Sequence, residues 1–380
     1  MKKWILSGFF ILLFLQLNFN FGGGKFFSPR VSLASSSIPQ VTVKIAQGKS
    51  FYIGSTASYQ IKDKSKKKLF HHLVKVKFSR HGIILNKSIW GNRIKVEPQK
   101  GSFCIVNGRR YRGIIWVVNE GSLLEVINEL SVEDYLYGVI KLEISPTWPL
   151  STLSAQAIVA RTYVFERIHN GELPITNLAY DQVYGGVEAE DPLCRIAVDL
   201  TRGEIITYNG QPIKAFYHAC SGGYTTSSRA IWGENYPYLI SQKDPFSLNS
   251  PYSHWILKLS AGQLEKKFKM GGLNIKNLKS IRVLNKDISG RARTLVIKCK
   301  KNKKVFISGS EFRKIIGYDL LRSTFFTIKK SKDKFIFIGK GWGHGVGMSQ
   351  WGAKVMGEIG YTTDEILEFY YPGTQIKKVY

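Results

Sequence analysis

Acidic side chains are scarce in this chain. Only 27 Asp and Glu stand against 55 Lys and Arg, giving a formal charge of +28 over 380 residues. A field of that sign concentrates polyanions: nucleic acid, anionic lipid or acidic cell-wall polymer. Cysteine is also sparse. Cys104, Cys194, Cys220 and Cys299 are scattered and form no C-x-x-C pair. Hydrophobic content of 44% supplies proper cores, so disulfides need not carry the fold. In an oxidising compartment one or two bridges remain open, but Cys104 and Cys299 lie inside strand-like runs and read as buried thiols. No internal repeat or low-complexity tract is present, and after the N-terminus nothing is apolar enough for a membrane span.

The N-terminus supplies what the rest lacks. Lys2 and Lys3 precede an apolar run from Trp4 to about Phe21. A basic region before an apolar core marks a secretory signal or an uncleaved anchor. Ser32-Leu33-Ala34 offers small residues for cleavage, so residues 1–34 are read as signal peptide or anchor. No cysteine sits beside the segment, which argues against a lipoprotein. Export in turn argues against nucleic acid as the working partner and leaves an anionic envelope surface. The basic runs at 62–68, 298–304 and 329–334 read as turns or solvated strand edges.

Two textures follow. From about Val41 to Asn128 apolar and polar residues alternate, as in Val41-Thr-Val-Lys-Ile45, Leu73 to Phe78, Arg93 to Val96 and Gly113 to Val118. This is strand periodicity, punctuated by glycine. Then Ser131 caps a short helix expected over 132–139, and Pro146 and Pro149 break the chain before a longer one from about Ser151 to His169. Strands are expected at 203–208 and 213–218, a helix at 261–269, and a hairpin pairing 279–284 with 294–298. Short helices follow at 309–317 and from Ser349, and Thr362-Thr-Asp-Glu365 has capping-box spacing. Mixed elements without regular β-α-β alternation place the chain in the α+β class. The expected organisation is a β-rich portion at 40–123 and a mixed α+β body at 124–380.

Three segments carry candidate chemistry. Gly341-Trp-Gly-His-Gly-Val-Gly347 sets four glycines at period two. Such a run destabilises a strand, so it either lines a ligand or makes a tight crossing of backbones. No Gly-Lys-Ser/Thr follows and no G-x-G-x-x-G register fits, which excludes the phosphate-loop reading. Glu143 stands between apolar neighbours just before the Pro- and Trp-containing turn. Burial there disfavours its charged form, and a carboxyl kept protonated can donate a proton to a leaving glycosidic oxygen. A solvated glutamate paired with Lys141 is the alternative. Arg161, on the long helix, could steady an acidic substituent, hold Glu143, or form a surface ion pair. His218 and Cys220 alternate on a strand, but two ligands do not make a zinc site. Ser221-Gly-Gly223 reads as a tight turn at a cleft.

Seven blocks, in order, resemble the sporulation stage II protein D (SpoIID/LytB) family of bacterial cell-wall proteins. They are Leu130 to Val139, Glu143, Ser154 to Tyr163, Gln182 to Tyr184, Phe216 to Gly223, Gly341 to Ala353 and Tyr370 to Thr374. The resemblance implies a lytic transglycosylase acting on peptidoglycan glycan strands, with a preference for strands already stripped of stem peptides. Glu143 matches the catalytic acid/base and Arg161 a second active-site position. Gln156, Tyr184, Ser221, His344 and Gln350 fall in blocks resembling the substrate-binding cleft. No cofactor is implied. Zinc-binding relatives carry a His-Cys pair where this chain reads Tyr180-Asp181-Gln182, so no metal site is expected. Other relatives enhance an N-acetylmuramoyl-L-alanine amidase, which keeps a non-catalytic wall-binding module as the second reading. The family name adds an expectation of a role in sporulation.

Overall fold

The computed structural model describes residues 37–177, 181–299 and 303–380. The expected signal or anchor segment and Tyr180 lie outside the described residues. The chain divides into two compact units. Among the described residues, those up to Lys214, joined by Gln375–Tyr380, form one, and Ala215–Thr374 form the other. The boundary therefore falls after Lys214, so the first part of the expected 124–380 body folds together with the β-rich front.

Alternation of side chains builds the first unit. In strand Gln40–Gly48, Val41, Val43 and Ile45 point inward while the residues between them are partly exposed. The strand enters a seven-stranded sheet in the order Ile175–Thr176, Gln40–Gly48, Leu124–Ser131, Ile114–Asn119, Arg93–Pro98, Tyr59–Lys62, Lys67–Phe70. All neighbours pair antiparallel except the first two, which run parallel. The lysine-rich 62–68 run is the turn into the edge strand, where its charges oppose further strand addition. A six-stranded sheet uses the remaining short strands between Ser50 and Tyr111.

The periodicity changes at Ser131. Its hydroxyl accepts the Asp134 N–H at 3.1 Å and starts helix Val132–Tyr137. A single turn, Ile140–Glu143, follows. Helix Leu150–His169 is then buried on nearly every side, which its small residues Ala155, Ala157 and Ala160 permit. Helix Pro192–Leu200, absent from the sequence-based expectations, is capped by Asp191 and begins with proline. Strand Glu204–Tyr208 pairs antiparallel with the C-terminal strand Gln375–Lys378, which returns the chain end to this unit.

In the second unit, strands Trp255–Ser260, Lys334–Gly339 and Phe326–Ser331 form one three-stranded sheet. The expected hairpin gains a third strand, Lys304–Ser308, beside Ser280–Lys286 and Ala292–Lys298. Phe268, Phe312, Phe326, Phe335 and Phe337 fill the core beneath helices Ala261–Met270 and Gly309–Ile316. The expected strand at 213–218 is reduced to Tyr217–His218, which pairs parallel with Met348–Ser349. Helix Gln350–Glu358 follows, and Thr363–Tyr370 has the expected capping box from Thr362 and Glu365. All four cysteines are free and buried.

Candidate functional site

Glu143 closes the turn Ile140–Glu143 and is only 5% exposed. Its neighbour Lys141 is exposed, so the two side chains occupy different environments. Glu143 Oε1 accepts the backbone N–H of Val183 at 3.3 Å, tying the carboxylate to the Gln182-Val183-Tyr184 segment. Asp181 anchors that segment. It accepts from Tyr163 Oη at 2.9 Å, Arg167 Nη2 at 2.7 Å, and the Thr176 N–H and hydroxyl, both at 2.8 Å. Sequence reasoning missed Asp181. Its position directly before Gln182-Val-Tyr was the available signal.

Tyr184 is buried. Its hydroxyl donates to Asn128 Oδ1 at 2.8 Å and its ring lies 5.2 Å from that of Tyr135. The Tyr135 hydroxyl in turn donates to Gln182 Oε1 at 3.2 Å. Burial pushes both phenols well above their ordinary range, so both remain neutral hydrogen-bonding groups. Gly138 makes this packing possible, because a Cβ there would sit 2.7 Å from the Tyr184 ring. Gln156 is fully buried on the long helix.

Arg161 is not the surface ion pair that one sequence-based reading allowed. It is wholly buried and pairs bidentately with Glu133, Nε to Oε1 at 2.8 Å and Nη2 to Oε2 at 2.9 Å. Its remaining donors reach the Val198 carbonyl at 3.0 Å, and Thr201 Oγ1 and the Glu204 carbonyl, both at 3.3 Å. Tyr380 Oη also donates to Glu133 Oε1, at 2.6 Å. The planar fork thus joins three segments inside the unit instead of holding Glu143 or lying at the surface. Glu133, one block upstream, is the partner that sequence reasoning did not select.

The second unit holds the glycine-rich segment. Gly341, Gly343, Gly345 and Gly347 all have positive φ, between +67° and +118°. The close approach is to the chain itself. A Cβ on Gly347 would meet the Phe216 carbonyl oxygen at 2.0 Å, and one on Gly345 would meet Arg291 Cζ at 2.5 Å. Trp342 and Cys220 exchange two backbone hydrogen bonds, of 2.8 and 2.9 Å. The segment is a tight crossing, and it aims the side chains between the glycines.

One of those side chains is His344. It is half-buried, with its ring 5.5 Å from His218 and 5.3 Å from Trp232. His344 Nδ1 accepts the Val346 N–H at 3.1 Å, while His218 Nδ1 donates to the Val346 carbonyl at 3.1 Å. Those partners set opposite tautomers. They leave His218 Nε2 buried and without a hydrogen-bond partner among the described residues. Burial lowers both imidazoles, His218 well below its ordinary value, with the facing His344 and then Arg291 adding to it, and His344 to about 3, with Arg313 and Arg291 adding to it. Both are neutral at physiological pH.

Ser221 has no exposed surface. Its hydroxyl donates to Asp244 Oδ2 at 2.7 Å and lies 2.6 Å from Ser247 Oγ, while Tyr370 Oη donates to Asp244 Oδ1 at 3.2 Å. Burial raises the Asp244 pKa, opposed by those hydroxyls. Ser221 is thus an internal brace. Gln350 opens its helix and is 5% exposed. Among the described residues, no three His, Cys, Asp or Glu side chains group as a metal-binding set. Cys220 Sγ instead donates to the Ser247 carbonyl at 3.6 Å.

These features coincide with known sequence families. A family model described as "Stage II sporulation protein" matches residues 120–208, which include Glu133, Glu143, Arg161 and Tyr184. A second model, a domain of unknown function, matches residues 229–347. An uncharacterised protein of Brachyspira hyodysenteriae is 35% identical over 81% of this chain and 83% of its own length. Stage II sporulation protein D of Bacillus subtilis is 33% identical over 66% of this chain and 76% of its own length. The amidase enhancer of Bacillus subtilis is 30% identical over 90% of this chain, which spans 53% of that relative. The chain belongs to the stage II sporulation protein D (SpoIID/LytB) family of cell-wall proteins. Among the described residues no helix is long and apolar enough to cross a membrane.

Proposed function

We propose that the protein is an exported lytic transglycosylase that cleaves the bond between N-acetylmuramic acid and N-acetylglucosamine in peptide-stripped glycan strands. The observation that carries this reading is a carboxyl buried to 5% exposure in the family-matched segment. Glu143 protonates the glycosidic oxygen as the C1–O bond breaks. The resulting carboxylate takes the proton from the C6 hydroxyl of the same muramic residue as that oxygen closes on C1, giving the 1,6-anhydro product. No water is consumed, and Glu143 ends protonated, ready for another cycle. An intramolecular nucleophile removes the need for the second carboxylate of ordinary glycosidases. Tyr184, through its ties to Asn128 and the Glu143-bound segment, positions the acid. Arg161 acts at one remove, by fixing Glu133 and the helices around it.

Purified protein should release anhydro-ended fragments from amidase-treated sacculi, read by mass spectrometry. Glu143→Gln should reduce release at least ~100-fold while leaving the fold and sacculus binding intact. A second reading draws support from the relative named amidase enhancer, whose similarity extends over 90% of this chain. In it the protein binds glycan and stimulates an amidase without cutting. Identical product profiles from wild type and Glu143→Gln, with amidase stimulation retained by both, would select that reading. The apolar segment at 1–34 supports work outside the cytoplasm in either case.

A further inference from the structure

The second unit presents isoleucines to water on a sheet face that the proposed chemistry does not use. In the sheet of Trp255–Ser260, Lys334–Gly339 and Phe326–Ser331, strand Lys334–Gly339 is the middle one. One side packs on the core through Trp255, Leu259, Phe326, Phe335 and Phe337. Side chains alternate along a strand, so the residues between these form the other side. An antiparallel sheet covered on one face ordinarily carries polar residues on the open one. Here the register sets Ile256 beside Ile338 and Lys258 beside Ile336, with Thr327 and Lys329 across the next strand boundary. Ile256 is 65% exposed, Ile338 is 36% exposed and Ile336 is half-buried. Preference for extended backbone does not account for them, because Thr327 in the same row meets it without adding such apolar surface.

The rim of this patch is cationic. Lys258, Lys329 and Lys334 lie on the same face and are exposed. The three strands and the turn from Ser331 to Lys334 contain five lysines and one carboxylate, Asp333, which sits on the turn. Of the other two lysines, Lys332 is on the turn and Lys330 is engaged, donating to the Lys279 carbonyl at 2.8 Å. Among the described residues no carboxylate lies within salt-bridge distance of Lys258, Lys329 or Lys334. An apolar centre with such a rim selects its occupant. A second copy would set lysine against lysine, which opposes self-association. A phosphate-rich polymer would answer the lysines and leave the isoleucines in water, and the face offers a sugar ring no aromatic or amide side chain. The surface of an anionic bilayer answers both, with phosphates for the ammonium groups and an acyl boundary for the isoleucines. Lysine stems lie along apolar surface while their charged ends reach outward, which suits them to that boundary.

We propose that this face docks peripherally on an anionic lipid leaflet. Ile256, Ile336 and Ile338 enter the acyl boundary, and Lys258, Lys329 and Lys334 meet the lipid phosphates. Docking of this kind goes beyond the glycan chemistry proposed above and is independent of Glu143. As signal or anchor, the apolar segment at 1–34 would bring the chain to the far side of a membrane, where such a leaflet is at hand. Each lysine close to an anionic surface strengthens attachment about fivefold, so three together contribute on the order of 100-fold.

The test places an environment-sensitive dye on this face of the full chain. Thr327→Cys supplies an exposed thiol beside Ile338, and the four native cysteines are buried, so labelling is selective. On vesicles of phosphatidylcholine and phosphatidylglycerol in equal parts, the dye's emission should shift to the blue and be quenched by lipids carrying a nitroxide on the acyl chain. The ratio of shifted to unshifted dye should fall on the order of 100-fold on pure phosphatidylcholine, and equally when Lys258, Lys329 and Lys334 are all changed to Gln. Ile256→Thr with Ile338→Thr should remove the shift while sedimentation with anionic vesicles persists through the remaining charge. These side chains are exposed, so every variant should keep the wild-type urea midpoint. A dye that stays at its aqueous emission on anionic vesicles overturns the proposal, as does an undiminished shift in the triple-lysine variant. A shift without vesicles that grows with protein concentration overturns it in favour of self-association. One produced by sacculi and not by vesicles overturns it in favour of the wall. The Glu143 product assay contains no lipid, so failure of the catalytic reading remains separately visible.

Discussion

Replacing Arg161 by alanine separates chemistry from architecture at the most deeply buried ion pair of the first unit. The guanidinium has no exposed surface and donates two charge-assisted bonds to Glu133, at 2.8 and 2.9 Å. Three weaker bonds reach Val198, Thr201 and Glu204. Truncation leaves the Glu133 carboxylate buried without its cation, held only by Tyr380 Oη and the Gly203 N–H. Removing one partner of a buried pair costs about 3–5 kcal/mol. At ~2–4 °C per kcal/mol for a domain of ordinary size, the first unit should melt roughly 6–20 °C lower. Arg161→Met with Glu133→Gln should recover most of that loss, because no uncompensated charge remains. The assay is urea and thermal denaturation followed by far-ultraviolet circular dichroism, alongside anhydro-product release at a temperature where each variant is folded. An Arg161→Ala protein with wild-type stability but defective turnover would refute the structural assignment and make Arg161 a substrate-contacting group.

The glycine-rich crossing predicts that Gly345→Ala destabilises the second unit by at least ~2 kcal/mol. Its methyl would combine a φ of +86° with a 2.5 Å approach to Arg291. Arg291 cannot yield easily, being held by the Tyr224 and Ser221 carbonyls at 2.7 Å, so an unchanged urea midpoint would count against the crossing. The lowered pKa of His218 and His344 gives a pH dependence of definite sign. The unfolded chain takes up protons near 6.5 that the native imidazoles refuse. Their stabilisation is therefore complete above pH 6.5 and declines as pH falls, toward about 3 for His344, by up to ~1.4 kcal/mol per pH unit for each ring. Denaturation midpoints between pH 7 and 5 should fall less steeply in His344→Gln than in wild type; parallel slopes would remove His344 from the account. Finally, sacculus pelleting should weaken between low and high ionic strength if the +28 charge draws the protein to an anionic wall, and salt-independent pelleting would assign attachment to shape contacts.

Much of the local structure is legible in the residues themselves. Val41-Thr-Val-Lys-Ile45 alternates and becomes a strand, Ser131 and Thr362 cap the helices they precede, and the lysine runs at 62–68 and 329–334 become hairpin turns. These outcomes depend on periodicity and on side chains bonding their own backbone, which neighbouring residues alone decide. Helix Pro192–Leu200 is equally local, with Asp191 as cap and proline in the first turn.

What the sequence determined by itself was the strongly positive charge, the α+β class, the segments that match the family, and Glu143 as the one acid worth testing. Tertiary structure alone decided the partners. It buried Arg161 against Glu133, turned Ser221 into an internal brace with Asp244, and set the alternating glycines against Phe216 and Arg291. It also laid Ile256 and Ile338 side by side. Each of these joins residues distant along the chain, and strand register and core packing bring such groups together only after folding has removed the water between them.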